Sequence, residues 1–519
     1  MAEVLSAWSD SKPDQVAVEG KGGTRTWAEL NENVDRLINA MNRFGVSPGD
    51  RVALLSGNRS EVAEISLAAL GSSKILVPIN WHWTAEELDY VLGNCGAKLL
   101  FIESVYLDLL GKIDLSKSDV KVVVVFGDEP ISHKYVDMAE FMGGSESGEP
   151  AGQGSGTIMF YTSGTTGRPK GVVPSGFDVS GPSSIGVDRS RLITKILGMP
   201  EQGRTLLCGP YYHSAQFACG ILPIMVGSST HMLYRSTPES ILDTIEQKKI
   251  TNVHMVPTQF VRLLRLPNER KDSFDGSSLR SVIHGGAPCS PLVKFDMIHW
   301  FGPVLVEYYG ASESGFLTVV DSEDWLEHSG TVGRLLPGAE VMIRRQDGTP
   351  TRNGEPGVIY FRRSNGADFT YHGDPEKTKA AHVDDGWATV GDIGYLDDDG
   401  LLYLSDRAID MIISGGVNIY PAEIEGVLIT HPAVLDVAVF GIPDDEFGES
   451  VHCAVCLSPN YSPSDVLTTE LQAWLRERIA GYKVPRGFDY LEALPRSEAG
   501  KLQKHLLRRP YWQEVSRTI

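Results

Sequence analysis

Between positions 161 and 171 the chain reads Tyr161-Thr-Ser-Gly-Thr-Thr-Gly-Arg-Pro-Lys-Gly171, with four Ser/Thr hydroxyls, three glycines and two cations in eleven positions. Small residues let backbone N–H groups approach an anion, the hydroxyls donate to phosphate oxygens, and Lys170 adds a point charge. Such a loop can hold a polyphosphate. No Gly-Lys-Ser/Thr triplet closes it, so it does not have the Walker A spacing. The alternative is a flexible Ser/Thr/Gly linker. The apolar run 157–161 ahead of it reads as one buried strand, and a strand feeding a glycine-rich turn is how phosphate loops are usually mounted.

The segments on either side fit that setting. Thr26-Trp-Ala-Glu29 is a capping box opening a helix whose apolar face is Leu30, Val34, Leu37, Ile38 and Met41, with Gly45 at its end. A second capping box stands at Thr84-Ala-Glu-Glu87. Strand patterns at 51–55, 98–102 and 122–126 alternate with these helices, as βαβ units of a largely parallel sheet require. A polar linker covers 144–156. A second α/β run follows, with strands near 205–208, 230–234, 252–256, 281–284 and 304–308. From about 331, short strands with Asp-Gly turns predict a small antiparallel or barrel-like unit. At 519 residues the chain is too long for a single core. Its hydrophobic fraction of 42% and charged fraction of 22% are those of an ordinary globular protein. A net charge of -20 offers no basic stripe for nucleic acid. No apolar run approaches a membrane span. No signal peptide or peroxisomal address is apparent, and six scattered cysteines suit a reducing compartment, so a cytoplasmic location is expected. Cys453 and Cys456 form a C-x-x-C in an apolar run, where a structural role is expected rather than zinc or redox chemistry.

Four further motifs accompany the loop: Tyr308-Tyr-Gly-Ala-Ser-Glu313, Gly391-Asp-Ile-Gly394, Ser405-Asp-Arg-Ala-Ile-Asp-Met-Ile-Ile-Ser-Gly-Gly416 and Leu494-Pro-Arg-Ser-Glu-Ala-Gly-Lys501. In this order and spacing the chain resembles the adenylate-forming superfamily over nearly its whole length, and within it an acyl-CoA synthetase. The resemblance implies an α/β fold. It comprises a large N-terminal part (1–405) with two α/β sheet subdomains and a small β-barrel-like one, a hinge (406–410), and a small mobile α+β C-terminal domain (411–519). It implies a ligase using ATP, Mg²⁺ and coenzyme A. A carboxylic acid is first converted to its acyl-adenylate with release of pyrophosphate, and the acyl group then passes to the thiol with release of AMP.

The resemblance also implies roles for individual residues. Thr162, Ser163, Gly164, Thr165, Thr166 and Gly167, with Lys170, would hold the phosphates. Glu313 and Thr166 would bind Mg²⁺, whose hard character favours oxygen. Tyr309 would stack on adenine, with Glu307, Tyr308 and Ser312 at nucleotide contacts. Asp392 would take the ribose hydroxyls, and Arg407 would reach ribose or phosphate. Lys501 would bridge the attacking carboxylate and the α-phosphate. Ser414, Gly415 and Gly416 would flank the pantetheine of coenzyme A. The hinge position is Ile409, where the superfamily usually has Asp or Lys. Val390 replaces a hydroxyl residue in Trp387-Ala-Thr-Val-Gly-Asp392.

The acid would lie among His213, Phe217, Gly285, Gly286, Ala287 and Gly310. His213 stands where relatives that activate α-amino acids carry an Asp, so amino acids are disfavoured. Gly285 and Gly286 leave room for a bulky group. The long connection 174–203 would shape access for a hydrophobic fatty, steroid side-chain or aromatic acid. Two other readings remain open: an adenylation protein loading a separate carrier-protein thiol, and a non-catalytic nucleotide-binding protein. A homodimer is the assembly left open.

Overall fold

The computed structural model describes all residues except 1, 131–133, 146, 147, 149, 151, 163–167, 176–180, 183, 346, 384, 385, 408, 497–501 and 513–519, together with all side chains of the remainder except those of 2–4 and 407. Both capping boxes form. Thr26 and Glu29 exchange side-chain and backbone hydrogen bonds at the start of the helix Trp27–Arg43, and Thr84 and Glu87 do so at Ala85–Cys95. Leu30, Val34, Leu37, Ile38 and Met41 are all fully buried, each stabilising the fold by about 2 kcal/mol on area grounds.

Six parallel strands form a first sheet in the order Val136–Asp137, Val122–Phe126, Ala97–Glu103, Arg51–Leu55, Ile75–Ile79, Thr157–Ile158. A second sheet of 15 strands begins at Gly23–Thr26 and Val16–Gly20. It continues in parallel through Ser229–Met232, Arg204–Leu207, Asn252–Met255, Ser281–His284 and Leu305–Ala311. Beyond Leu305–Ala311 every pairing is antiparallel, through Gly315–Asp321, Thr331–Leu335, Leu401–Arg407, Asp392–Leu396 and Gly357–Arg363. The change of pattern expected near 331 therefore begins one hairpin earlier, at 305–321. The short Asp-Gly-punctuated strands extend the large sheet.

The run 157–161 is not one strand. Thr157–Ile158 closes the first sheet, and Phe160–Thr162 belongs to a three-stranded sheet with Lys170–Ser175 and Asp368–Tyr371. A single buried residue, Met159, makes the hand-over, and an uninterrupted apolar run carries no mark of it. A fourth sheet forms from the strands after residue 411: Val417–Ile419, Ile412–Ser414, Gly448–Leu457, Val434–Asp444 and Gly487–Tyr490, with helices Pro421–Leu428, Asp465–Arg476 and Lys504–Trp512. Cys453 and Cys456 sit in Gly448–Leu457 as free thiols. Three positions apart on a strand, they point to opposite faces. No helix among the described residues is long and apolar enough to cross a membrane.

Candidate functional site

A cleft of about 2640 Å³ runs between the large sheet, the three-stranded sheet and the C-terminal sheet. It exceeds the ~300–1,000 Å³ of a single small-ligand pocket and has room for several ligands at once. Its walls contain residues from all five motifs.

On one wall, Thr162 and Lys170 face each other in register across the hairpin that mounts the glycine-rich stretch. Ser163, Gly164, Thr165, Thr166 and Gly167 lie outside the described residues. Lys170 Nζ sits 4.8 Å from the ring centre of Tyr371. Burial, followed by the nearby Lys377, lowers its pKa. Tyr371, brought in by the third strand of this sheet, donates its hydroxyl to Glu313 Oε1 at 3.0 Å. Glu313 lies in the turn 312–314, which is pinned on two sides: Ser314 Oγ accepts from Ala311 N at 2.9 Å, and Ser314 O accepts from Arg363 Nη2 at 2.9 Å. Glu313 Oε2 has no partner among the described residues. A carboxylate oxygen held open this way fits a hard divalent cation. Among the described residues no cluster of His, Cys, Asp or Glu could hold a metal ion by itself. A cation here would need phosphate or water oxygens besides Glu313.

Tyr309 and Asp392 come from strands far apart in the large sheet. The Tyr309 hydroxyl donates to Asp392 Oδ2 at 2.8 Å. Next to Tyr309, at Gly310, the register with strand Gly315–Asp321 shifts, and a Cβ there would stand 2.1 Å from the Gly315 carbonyl oxygen. Asp392 pairs in register with Arg407, whose side chain lies outside the described residues. Ser312 Oγ is 3.0 Å from Ser214 Oγ, which ties this turn to the helix opposite. The Glu307 carboxylate is already held by Lys294 at 2.6 Å in a buried ion pair. Tyr308 points away from Tyr309. Its hydroxyl meets His254 Nε2 at 3.1 Å, and His254 Nδ1 meets Gln216 Nε2 at 2.9 Å. Since the amide nitrogen can only donate, His254 accepts at Nδ1 and donates from Nε2. Burial pushes its pKa down to about 4, which keeps this tautomer neutral.

The other wall holds the residues expected around an acid. His213 occupies the N-cap position of the helix Ser214–Gly220 without a side-chain cap bond, and Phe217 is fully buried with its ring 5.9 Å from that of Phe160. His213, Phe217, Gly285, Gly286, Ala287 and Gly310 all border the cleft. The two glycines differ. At Gly285 a Cβ would lie 2.6 Å from the Tyr308 ring, so Tyr308 fills the space that the missing side chain leaves. At Gly286, with φ of +76°, the nearest atom is the Tyr308 hydroxyl at 3.9 Å, and there the room is open. The long connection 174–203 contributes a helix, Ser184–Ile196, one face of which borders the same cavity.

The C-terminal sheet supplies the third side. Lys501 lies outside the described residues, but both ends of its segment are fixed. Arg496 and Leu502 pair as a β-bridge, Gln503 N donates to Pro495 O at 2.8 Å, and Arg496 makes two 2.6 Å contacts with Asp436. Arg496, Leu502 and Lys504 all border the cleft. Ser414, Gly415 and Gly416 are not among its lining residues. Gly415 and Gly416, with φ of +57° and +78°, form the two-residue turn between Ile412–Ser414 and Val417–Ile419, the geometry of a hairpin turn that glycine accepts without strain. Ile409 is 55% exposed, and its carbonyl accepts from Arg508 Nη1 at 3.0 Å.

Sequence patterns did not single out Tyr371, the Gln216–His254 pair or Lys504. Lys504 is buried against Glu425 at 2.8 Å. Each owes its place to pairing between distant segments, and none carries a local spacing signal.

The "AMP-binding enzyme" family profile matches residues 5–368, and the "AMP-binding enzyme C-terminal domain" profile matches 423–501. A feruloyl-CoA synthase from an Amycolatopsis species is 34% identical, over 96% of this chain and 96% of its own. The long-chain-fatty-acid–CoA ligase FadD13 of Mycobacterium tuberculosis is 31% identical over 94% of this chain and 93% of its own. Among solved structures, o-succinylbenzoate CoA synthetase (MenE) from Bacillus subtilis, in complex with the acyl-adenylate intermediate OSB-AMP, superposes with a TM-score of 0.80 at 27% identity, covering 99% of this chain and 98% of that one.

Proposed function

The chain belongs to the AMP-binding enzyme family, and from that premise we propose that it is an AMP-forming ligase joining an apolar carboxylic acid to coenzyme A. The observation that carries the proposal is the shared cleft. The Tyr309–Asp392 pair, the Tyr371-held Glu313 and the phosphate hairpin face the His213/Gly286 wall across one cavity. A carboxylate bound at the second wall would meet a nucleotide bound at the first. Tyr309 and Asp392 would present a flat ring and an acceptor to adenine and ribose. Thr162 and Lys170, with Ser163 to Gly167, would hold the phosphates. Mg²⁺, when bound at Glu313 and Thr166, would neutralise phosphate charge.

Lys501 would place its ammonium between the attacking carboxylate and the α-phosphate, where two anions meet. The placing of Arg496 and Leu502 at the cleft, with the Ser414–Gly416 turn outside it, supports this arrangement as that of the adenylation step. Thioester formation would then require the C-terminal unit (411–519) to turn about 406–410 and bring Ser414, Gly415 and Gly416 to the cleft. The neutral Gln216–His254–Tyr308 set and His213 leave no fixed negative charge for an α-amino group, which supports an acid without one.

Pyrophosphate release across fatty, aromatic, steroid and amino acids tests the proposal, with thioester formation then measured on coenzyme A and on a carrier protein. We expect release to depend on an acid with an apolar body, and thioester on coenzyme A. Release independent of any acid would overturn the ligase reading, and thioester on the carrier protein alone would replace coenzyme A as acceptor.

A further inference from the structure

The helix Ser184–Ile196 borders the cleft with Gly186, Arg189, Leu192, Ile193, Lys195 and Ile196. Gly186, Arg189, Ile193 and Ile196 have the spacing of a single helix face, and Lys195 stands beside it. Ile193 packs with Ile283 and Tyr308, and Ser190 reaches Met225 Sδ on the neighbouring turn at 3.2 Å, so this face belongs to the apolar wall. Arg189 stands in the middle of it. The outward-facing arginine of the same helix, Arg191, is matched by Asp188 at 3.3 Å and Glu201 at 3.5 Å. Arg189 has no carboxylate, carbonyl or ring partner among the described residues.

Its side chain is exposed onto the cavity, yet it stands deep enough within the fold for burial to lower its pKa. A guanidinium keeps its proton, and one that faces a cavity from an apolar helix face with no partner among the described residues is open to an anion. The economical partner is an anion arriving with the ligand. In the adenylation proposed above the reacting carboxylate meets the nucleotide beside Tyr309 and Glu313, which leaves Arg189 to a second anion.

We propose that Arg189 recognises a second carboxylate, so that the preferred substrate is a dicarboxylic acid: an apolar body with the reacting carboxylate at one end and an anchored carboxylate at the other. A planar two-pronged donor suits a carboxylate better than a point charge does. The assignment rests on the adenylation of an acid proposed above, and deepens it.

Paired acyl-sulfamoyl-adenosine mimics of the adenylate test it. The two members of each pair differ only in a terminal carboxylate or methyl group, over a graded series of spacers. Binding is measured by calorimetry to the full chain, to Arg189→Gln and to Arg189→Lys, with folding checked by thermal melting. At the best spacer the carboxylate member should bind the native chain about tenfold or more tighter than its methyl partner. Arg189→Gln should abolish that preference while keeping affinity for the methyl member, and Arg189→Lys should retain part of it. Equal binding of the two members by the native chain, or equal loss of both in Arg189→Gln, would overturn the proposal alone. Failure of every mimic to bind the native chain would bring down the adenylation reading, and this assignment with it.

Discussion

At the residue scale the candidate site is held together by a few contacts that join distant strands. Asp392 is both the acceptor of the Tyr309 hydroxyl and the proposed acceptor of ribose. Asp392→Asn should raise the KM for ATP by about tenfold or more, whereas Tyr309→Phe, which keeps the ring, should raise it less. Steady-state kinetics of pyrophosphate release separate the two. The glycines give a second contrast. Gly310→Ala drives a Cβ to 2.1 Å from the Gly315 carbonyl oxygen and should cost several kcal/mol, roughly the range of severe core substitutions. Gly286→Ala meets nothing closer than 3.9 Å but sits at φ of +76°, so about 1 kcal/mol is expected. Chemical denaturation of both variants checks the order. Sequence flagged both positions, through the Tyr-Tyr-Gly and Gly-Gly-Ala runs, but could not say which cavity each serves. That Gly285 yields its space to Tyr308 depends on strands 281–284 and 305–311 lying side by side.

At the element scale, capping boxes and continuous apolar runs were legible because their physics is local. The helix after Thr26 and the strand Val122–Phe126 begin and end where hydrogen-bonding side chains and turns dictate. The change of sheet at Met159 was not legible, nor was the pairing of Asp368–Tyr371 with the phosphate hairpin, since partners some 200 positions away leave no periodic trace. The Gln216–His254–Tyr308 set has a titration consequence. Unfolded histidine binds a proton near pH 6.5, while buried His254 resists it until about 4. Between these values the unfolded chain binds more protons, so stability is kept above about pH 6.5 and lost as pH falls toward 4, by up to about 3 kcal/mol. Melting temperatures across that window should fall less steeply in His254→Gln than in the native chain; parallel slopes would refute the assignment. On the helix Lys504–Trp512, Arg508 holds the Ile409 carbonyl and Lys504 holds Glu425. Arg508→Ala should loosen the 406–410 segment and change the ratio of adenylation to thioester rates, with little change in the KM for ATP.

At the scale of the whole molecule, five motifs spread from 161 to 501 converge on one cleft, and their order along the chain was enough to expect that convergence. Which of them face the cleft together was not legible, because it depends on how the C-terminal sheet docks. Arg265 donates to the Val434 and Leu435 carbonyls, and Ser290 donates to that of Gly426. This docking sets Arg496 and Leu502 at the cavity and leaves the Gly415–Gly416 turn outside. In the proposed mechanism one cation, Lys501, serves adenylation and is dispensable once the acyl-adenylate exists. Rapid-quench measurement of both half-reactions in Lys501→Ala tests it most directly. Acyl-adenylate formation should slow about a hundredfold or more, while thioester formation from supplied acyl-adenylate proceeds at close to the native rate. Equal loss in the two half-reactions, or none in the first, would contradict it.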